Sequence, residues 1–337
     1  MQKIIGIVLT FILWSSTYIW AQGIAKVGTA GYQFLKIGVG ARGVALGNAV
    51  DPMINDASAM FWNPATLNFV ENASLFLNHS EYLADMRFEG FAFAKKINRV
   101  GVVGVNLVYL DSGPIEETTE FQQNGTGNTF SAVSYSIGIS FARMLTEQFG
   151  VGGTVKYVSE DLTSGLGEDN RTGAWAVDIG TVYFPGFTLF PSLRMTMAIR
   201  NFGPEVRLKG TYYDFNGIKG VFEDYPSEYK YFPLPLTFRF GIGYDPIDRE
   251  NQKLTIAVYG EHPNDNLERV NMGAEYIFNN IIALRGGYIL NHDTRTFSAG
   301  VGFNIGLFGN SRLKIDYAYA HYGVLEDVQV FSFVFDW

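Results

Sequence analysis

The chain has 337 residues, of which 15% are aromatic and 38 are glycine, whereas charged residues make up only 17%. Soluble domains usually carry about a quarter charged residues, so this composition indicates an unusual surface. The absence of cysteine excludes disulfides, Cys-ligated zinc and thiol catalysis. A net charge of −8 argues against a general nucleic-acid-binding protein.

The first residues have the features of an export signal. Lys3 gives a basic start, residues 4–14 are apolar, and Ala21 is a small residue suited to a cleavage site. Three hydroxyl residues at 15–17 interrupt the apolar run before it reaches the roughly 20 residues of a membrane-spanning helix. We therefore predict a signal peptide over residues 1–21. The residue after the cut is not cysteine, which excludes a lipoprotein.

Residues 22–72 show no strand-like alternation and are rich in glycine and alanine. Small side chains allow a backbone to approach its neighbours closely. We therefore expect a compact segment that packs tightly against another part of the protein. Within it, the spacing G-x-G-x-x-G at Gly38, Gly40 and Gly43 matches a dinucleotide-binding pattern. The strand, helix and parallel sheet that such a site needs are not predicted around it, so we interpret the glycines as packing positions.

From residue 73 onward, segments of about ten residues alternate between bulky apolar and small or polar side chains. In 131–142, for example, Tyr135, Ile137 and Ile139 share one face, and small residues occupy the other. A soluble sheet turns its bulky face inward, whereas a bulky outer face around a small, polar interior is typical of a barrel in lipid. We count fourteen such segments, and an even number is typical of bacterial outer-membrane barrels. The predicted strands are 73–82, 86–95, 99–110, 129–143, 149–160, 172–184, 192–201, 233–245, 253–261, 269–278, 281–290, 295–307, 312–322 and 327–337.

The sequence thus predicts an all-β fold, a 14-stranded antiparallel transmembrane β-barrel over residues 73–337, with 22–72 as a hatch inside its lumen. The connections agree with this prediction, because the two long ones, 112–128 and 202–232, fall at the same end of the barrel. Outer-membrane barrels have short periplasmic turns and longer outer loops, so we expect both long loops outside the cell. The chain ends in alternating aromatics, Phe331 to Trp337, which resembles the C-terminal signal of bacterial barrels.

Two stretches of the hatch carry a more specific resemblance. The run Ile37–Gly43 and the run Asp56–Leu67 are similar to the N-terminal signature of the PorV/PorQ family, within the wider FadL-like group of outer-membrane proteins. The resemblance implies a FadL-like barrel with an N-terminal hatch in the bacterial outer membrane. It also implies an adaptor or shuttle for secreted proteins in type IX secretion and surface attachment. The alternative is a FadL-like uptake channel for hydrophobic small molecules. The motif residues are Gly38, Gly40, Arg42, Gly43, Asn63, Pro64 and Ala65.

Three sets of residues are candidate sites, each with a structural alternative. Asn63-Pro64 is either part of a hatch that moves or a rigid turn. The charged residues at strand positions predicted to face the lumen either tie the hatch to the wall or line a polar path. They are Lys156, Asp178, Arg194, Arg239, Glu275, Arg285 and Asp316. Aromatics in the long loop 202–232 either contact protein partners or fold over the mouth as a lid; they are Tyr212, Tyr213, Phe215, Phe222, Tyr225 and Tyr229.

We predict no cofactor, no metal site and no enzyme activity, since the sequence has no P-loop, no H-E-x-x-H and no G-x-S-x-G motif, and the context of the G-x-G-x-x-G pattern does not fit a dinucleotide site. The expected partners are outer-membrane lipid and either secreted proteins or other components of the secretion system. A hydrophobic ligand is the expected partner in the alternative function, and nucleic acid is not expected.

Overall fold

The computed structural model describes residues 26–165, 170–214 and 225–337, so the predicted signal peptide lies outside the described residues. Fourteen antiparallel strands follow one another in chain order, and the first pairs with the last to close the ring. The predicted all-β fold, a closed barrel of 14 antiparallel strands, is therefore confirmed. The barrel strands are β1 Ala73–Glu81, β2 Arg87–Ile97, β3 Gly101–Asp111, β4 Thr129–Met144, β5 Phe149–Ser164, β6 Arg171–Tyr183, β7 Arg194–Phe202, β8 Thr237–Arg249, β9 Gln252–Pro263, β10 Arg269–Phe278, β11 Ile282–Leu290, β12 Phe297–Gly306, β13 Arg312–Ala320 and β14 Val328–Asp336.

The strands have two different faces, as the alternation predicts. In β6, Trp175 and Ile179 are 64% and 54% exposed on the outer wall, while Ala176 and Asp178 between them are buried. Successive side chains of a strand point to opposite faces of the sheet, so every second residue faces the interior. The outer wall is therefore bulky and apolar, and the inner wall is small or polar.

The eighth strand begins later than predicted, at Thr237 instead of 233. Pro233 and Pro235 precede it, and proline has no backbone N–H to donate to a ladder. The strand then continues to Arg249 through an irregularity between Tyr244 and Ile247. A β-bulge tolerates proline, which accounts for Pro246 within the strand.

Connections of unequal length distinguish the two ends of the barrel. The end with the connections after odd-numbered strands holds 112–128 and 203–236, and we call it the long-loop end; the other is the short-turn end. Each long loop has structure of its own. Ile115–Glu116 pairs with β4, and Thr211–Asp214 pairs with Tyr225–Glu228 as a separate two-stranded sheet. Strands this short leave no readable period in the sequence.

Residues 26–72, which we call the N-terminal segment, consist of short helical turns. They are the 3₁₀ helices Gln33–Lys36, Ala57–Phe61 and Pro64–Phe69, and the α-helix α1 Ala41–Ala45. Asp56 and Asn63 cap two of the turns, each accepting a hydrogen bond from the backbone N–H two residues later. Much of the segment is buried, and its apolar residues form two clusters with inward-facing residues of the wall.

Candidate functional site

The interior of the barrel contains a buried charge network that joins the N-terminal segment to the wall. Arg42 of α1 donates to both carboxylate oxygens of Glu275 on β10, at 2.9 and 2.8 Å. Arg285 on β11 donates to Glu275 at 2.6 Å and to Asp316 on β13 at 2.6 Å. Two arginines and two carboxylates thus alternate in one hydrogen-bonded chain. Burial acts to lower the pKa of Arg42, but the charge and hydrogen bonding of Glu275, together with the charges of Asp56 and Asp316, outweigh burial and raise that pKa above its usual value.

The other predicted charges also face inward. Lys156 on β5 donates to Asp178 on β6 at 2.7 Å and to Asn201 on β7 at 2.6 Å, which joins three strands of the wall. Arg194 on β7 makes two hydrogen bonds of 2.8 Å to Asp245 on β8. A bidentate arginine–carboxylate pair fixes the geometry of both side chains.

Arg194 and Arg239 connect the wall to one stretch of the N-terminal segment. Arg194 donates to the backbone oxygen of Pro52. Arg239 lies 3.8 Å from the Asp51 carboxylate and 4.3 Å from the centre of the Tyr259 ring. The seven predicted charges therefore lie on the inner wall, and three of them reach the segment directly.

The motif glycines and Asn63 have identifiable structural roles. Gly40 has φ of 101° and its N–H donates to Asn78 of β1 at 3.0 Å. A side chain on Gly43 would overlap the Trp62 ring. Asn63 accepts from the N–H of Ala65 at 3.0 Å, and its amide donates to the backbone oxygens of Thr181 and Met197 in the wall. Asn63-Pro64 therefore begins a helical turn and attaches it to two strands.

Hydrogen-bonding residues that the sequence interpretation missed hold the backbone of the segment. Their common feature is a small polar side chain at an inward position of a strand, the one signal that could have identified them. Each accepts from an N–H of the segment, and they are Ser74 from Ala57, Asn78 from Gly40, Ser298 from Gly47 and Ser332 from Ala41. Buried backbone groups need such partners, so these side chains help to fix where the segment lies.

One very close approach of segment and wall lies between two glycines, Gly47 and Gly287. A Cβ on Gly287 would overlap backbone atoms of Leu46 and Gly47, whereas a Cβ on the neighbouring Gly286 would meet nothing within 4 Å. Gly287→Ala should therefore destabilise the protein by about 1–3 kcal/mol through overpacking, and Gly286→Ala should not. Guanidinium unfolding of both variants in detergent checks this expectation. Equal stability of the two would contradict the close contact.

Two sizeable cavities lie at opposite ends of the interior. The cavity at the long-loop end has a volume of about 430 Å³, and Phe34, Trp62, Arg239 and His292 are among its lining residues. The cavity at the short-turn end has a volume of about 360 Å³ and includes Trp337 in its lining. The two share no lining residue. Fully buried residues of the segment lie along the interior, among them Ala41, Leu46, Val50, Ala59 and Leu67.

His292 lies in the connection after β11 and lines the cavity at the long-loop end. It gives that end a pH-dependent contact. Its Nδ1 accepts hydrogen bonds from the backbone N–H groups of Thr294 and Arg295 at 3.2 and 3.0 Å. Burial, followed by the positive charges of Arg269 and Arg295, lowers the pKa of His292 to about 4 from the ordinary 6.5. The unfolded chain therefore takes up this proton at a higher pH than the folded chain does.

We accordingly expect the folded state to lose stability as the pH falls from about 7 towards 4, by on the order of 1–2 kcal/mol after solvent screening. His292→Asn is the matched variant, because its side-chain oxygen can accept the same hydrogen bonds without titrating. Guanidinium unfolding at pH 7.5 and at pH 5 should show a larger loss for the wild type than for His292→Asn. An equal loss in both would assign the pH dependence to other groups.

The aromatic loop is only partly within the described residues. Tyr212, Tyr213 and Tyr225 have their backbones in the short hairpin, whereas Phe215 and Phe222 lie outside the described residues. Tyr229 donates from its hydroxyl to Asn170 at 3.2 Å. The end of the loop turns inward, where the ring centre of Phe232 lies 6.3 Å from that of Tyr32 in the segment.

Neither a metal site nor a membrane-spanning helix is found in the described part of the chain. Across 26–165, 170–214 and 225–337, no three acidic or histidine side chains are grouped so that they could hold a metal ion. In the same ranges, no helix has the length and apolar character needed to cross a membrane.

The fold is shared with two toluene transporters and a FadL homologue. The toluene transporter TodX of Pseudomonas putida is 12% identical with a TM-score of 0.57, over 88% of this chain and 97% of its own. The toluene transporter TbuX of Ralstonia pickettii is 15% identical with a TM-score of 0.57, over 89% and 98%. A FadL homologue of Pseudomonas aeruginosa is 12% identical with a TM-score of 0.55, over 88% and 97%. At such identities the likeness concerns the fold alone.

Sequence comparison provides the family. A comparison with curated protein sequences gave no match. The profile of the family described as "Type IX secretion system protein PorV" matches residues 21–259, well over half of the chain. Together with the FadL-like barrel, this match confirms the resemblance carried by the N-terminal motifs and the expected location. The chain is an outer-membrane β-barrel protein that belongs to the PorV family.

Proposed function

We propose that this protein is an adaptor or shuttle for secreted proteins in type IX secretion and surface attachment. Family membership indicates the secretion system in which the protein works. The filled interior is the observation that favours an adaptor or shuttle over an uptake channel. The N-terminal segment is tied to the wall through Arg42–Glu275, Asp51–Arg239 and Pro52–Arg194, and it lies between two cavities that share no lining residue. Such an interior suits a protein that works at its outer surface.

In this proposal, residues 22–72 are a hatch that keeps the barrel closed. The motif residues Gly38, Gly40, Arg42, Gly43 and Asn63-Pro64-Ala65 shape the hatch and attach it to the wall. The aromatics of loop 202–232 contact the secreted proteins outside the cell. Outer-membrane lipid surrounds the apolar outer wall, and the protein has no catalytic role.

The alternative function is uptake of hydrophobic small molecules. It is favoured by the fold shared with the toluene transporters TodX and TbuX. Sites for such ligands are mostly apolar. The cavity at the long-loop end is instead lined by four arginines, Arg200, Arg239, Arg269 and Arg295. An apolar solute there would remove water from their guanidinium groups without replacing the hydrogen bonds to that water. We therefore place uptake second.

A deletion strain separates the two functions. We expect it to retain in the periplasm those proteins that the wild type displays or releases, and to take up toluene at the wild-type rate. Complementation with the wild-type chain should restore secretion. Normal secretion together with impaired toluene uptake would reverse the order of the two proposals.

A further inference from the structure

The cavity at the long-loop end has the size of a small-molecule site. Its volume of about 430 Å³ lies within the range of about 300–1,000 Å³ that is usual for ligand pockets. The N-terminal segment supplies part of its lining through Phe34, Lys36 and Trp62, and the strand ends and connections supply the rest. The chemistry of this lining indicates what kind of solute would fit.

Positive charge dominates the lining. Lys36 forms an ion pair of 2.5 Å with Asp265. Once this pair is set aside, the remaining acids in the lining are Glu261 and Asp293, against four arginines. These come from four different places in the fold, namely Arg200 on β7, Arg239 on β8, Arg269 at the start of β10 and Arg295 in the connection after β11.

Most of these guanidinium groups have no acidic partner. Among the described residues, no carboxylate lies within 4 Å of Arg200, Arg269 or Arg295 in an ion pair, whereas Arg239 has Asp51 at 3.8 Å. Confining like charges in a partly buried space is costly unless an opposite charge joins them. The arrangement therefore favours an anion over a neutral solute.

Some donor atoms of these arginines also lack acceptors among the described residues, although Arg295 donates to Asn48 and to the backbone oxygen of Val44. The Nε atoms of all four arginines and Nη1 of Arg239 are buried without a partner. Arg239 and Arg295 are each only 3% exposed. Buried polar groups are nearly always hydrogen-bonded, and guanidinium N–H groups match the geometry of phosphate and carboxylate oxygens. Arg239 is in addition held in place by the Tyr259 ring.

We propose that the long-loop cavity binds a small solute through a phosphate or carboxylate group, with Arg200 and Arg269 among its ligands. This site is separate from the proposed contact with secreted proteins, because it lies inside the mouth of the barrel and not on the aromatic loop. Its failure would leave the proposed secretion function untouched.

Isothermal titration of the full-length, detergent-solubilised protein tests the site, with inorganic phosphate and succinate as separate probes at about 0.15 M NaCl. We expect at least one probe to bind with one site per chain. Arg200→Gln and Arg269→Gln should each weaken binding at least about tenfold, a size consistent with the loss of one charge-assisted hydrogen bond. Which probe binds distinguishes phosphate from carboxylate chemistry.

Arg312→Gln is the matched control. Arg312 is exposed at the start of β13, at the short-turn end, and its replacement removes the same charge without touching the cavity. It should bind the probe as the wild type does. The proposal is overturned if neither probe binds the wild type, or if all three variants bind equally well. Heat-modifiable gel migration of each variant establishes that the barrel is folded, and two cavity variants guard against one failing to assemble.

Discussion

Replacing Glu275 by alanine should destabilise the folded barrel by about 3–5 kcal/mol, the usual cost of removing one partner from a buried ion pair. Glu275 is 2% exposed and accepts hydrogen bonds from both Arg42 and Arg285. Without it, the ion pair that Arg42 keeps among the described residues is the looser one with Asp56, at 3.9 Å. Guanidinium unfolding in detergent, followed by tryptophan fluorescence, measures the loss.

Glu268→Ala is the control for this experiment. Glu268 pairs with His262 at 3.0 Å, but both side chains are exposed to solvent. Exposed ion pairs contribute little to stability, so this variant should unfold much as the wild type does. If Glu275→Ala were equally mild, the buried network would not be what holds the N-terminal segment in the barrel.

The second large effect is expected at the aromatic loop, where Tyr212, Tyr213 and Phe215 are replaced together by serine. The barrel should still assemble, because the strand that contains Tyr212 and Tyr213 pairs with Tyr225–Glu228 in a two-stranded sheet that is separate from the barrel sheet. Capture of secreted proteins should fall by roughly thirtyfold or more, since one aromatic anchor can contribute about 2 kcal/mol to binding. Quantitative pull-down of secreted proteins measures the change.

Phe308→Ser provides the comparison at the other end of the barrel. Phe308 is 95% exposed in the short turn after β12, so its loss removes an aromatic surface on the side away from the proposed contact. This variant should capture secreted proteins normally. Undiminished capture by the triple variant, with normal heat-modifiable migration, would instead favour a lid role for the loop.

The sequence predicted the barrel well because a strand with one lipid face and one interior face leaves a period of two that survives in every segment. It predicted the inward charges for the same reason: parity alone assigns Lys156 and Glu275 to the interior. The alternation along a strand cannot show which residue each charged side chain will pair with. Arg42 and Glu275 are separated by 233 residues, and only the closed ring brings them together.

Two further features, a close glycine contact and the cavity at the long-loop end, could not be predicted from the sequence either. The contact between Gly47 and Gly287 is a matter of backbone distance, and no local pattern records which glycine of a glycine-rich strand meets the segment. The cavity at the long-loop end draws arginines from three strands and a connection, each unremarkable in its own stretch of chain. The hatch role of residues 22–72 and the contact role of the aromatic loop remain predictions.

The pairing of β1 with β14 has a consequence for the order of folding. Ala41 in the first part of the chain donates to Ser332 in the last strand, 291 residues away. Contacts so distant in sequence form slowly, because a long loop must close before they stabilise anything. The N-terminal segment precedes the barrel strands in the chain, yet one of its hydrogen-bond partners, Ser332, lies in the last of them. Until then the sheet has two open edges, which are prone to pair with other chains. Ring closure therefore belongs to the last stage of assembly, and a chain that stops short of β14 cannot complete it.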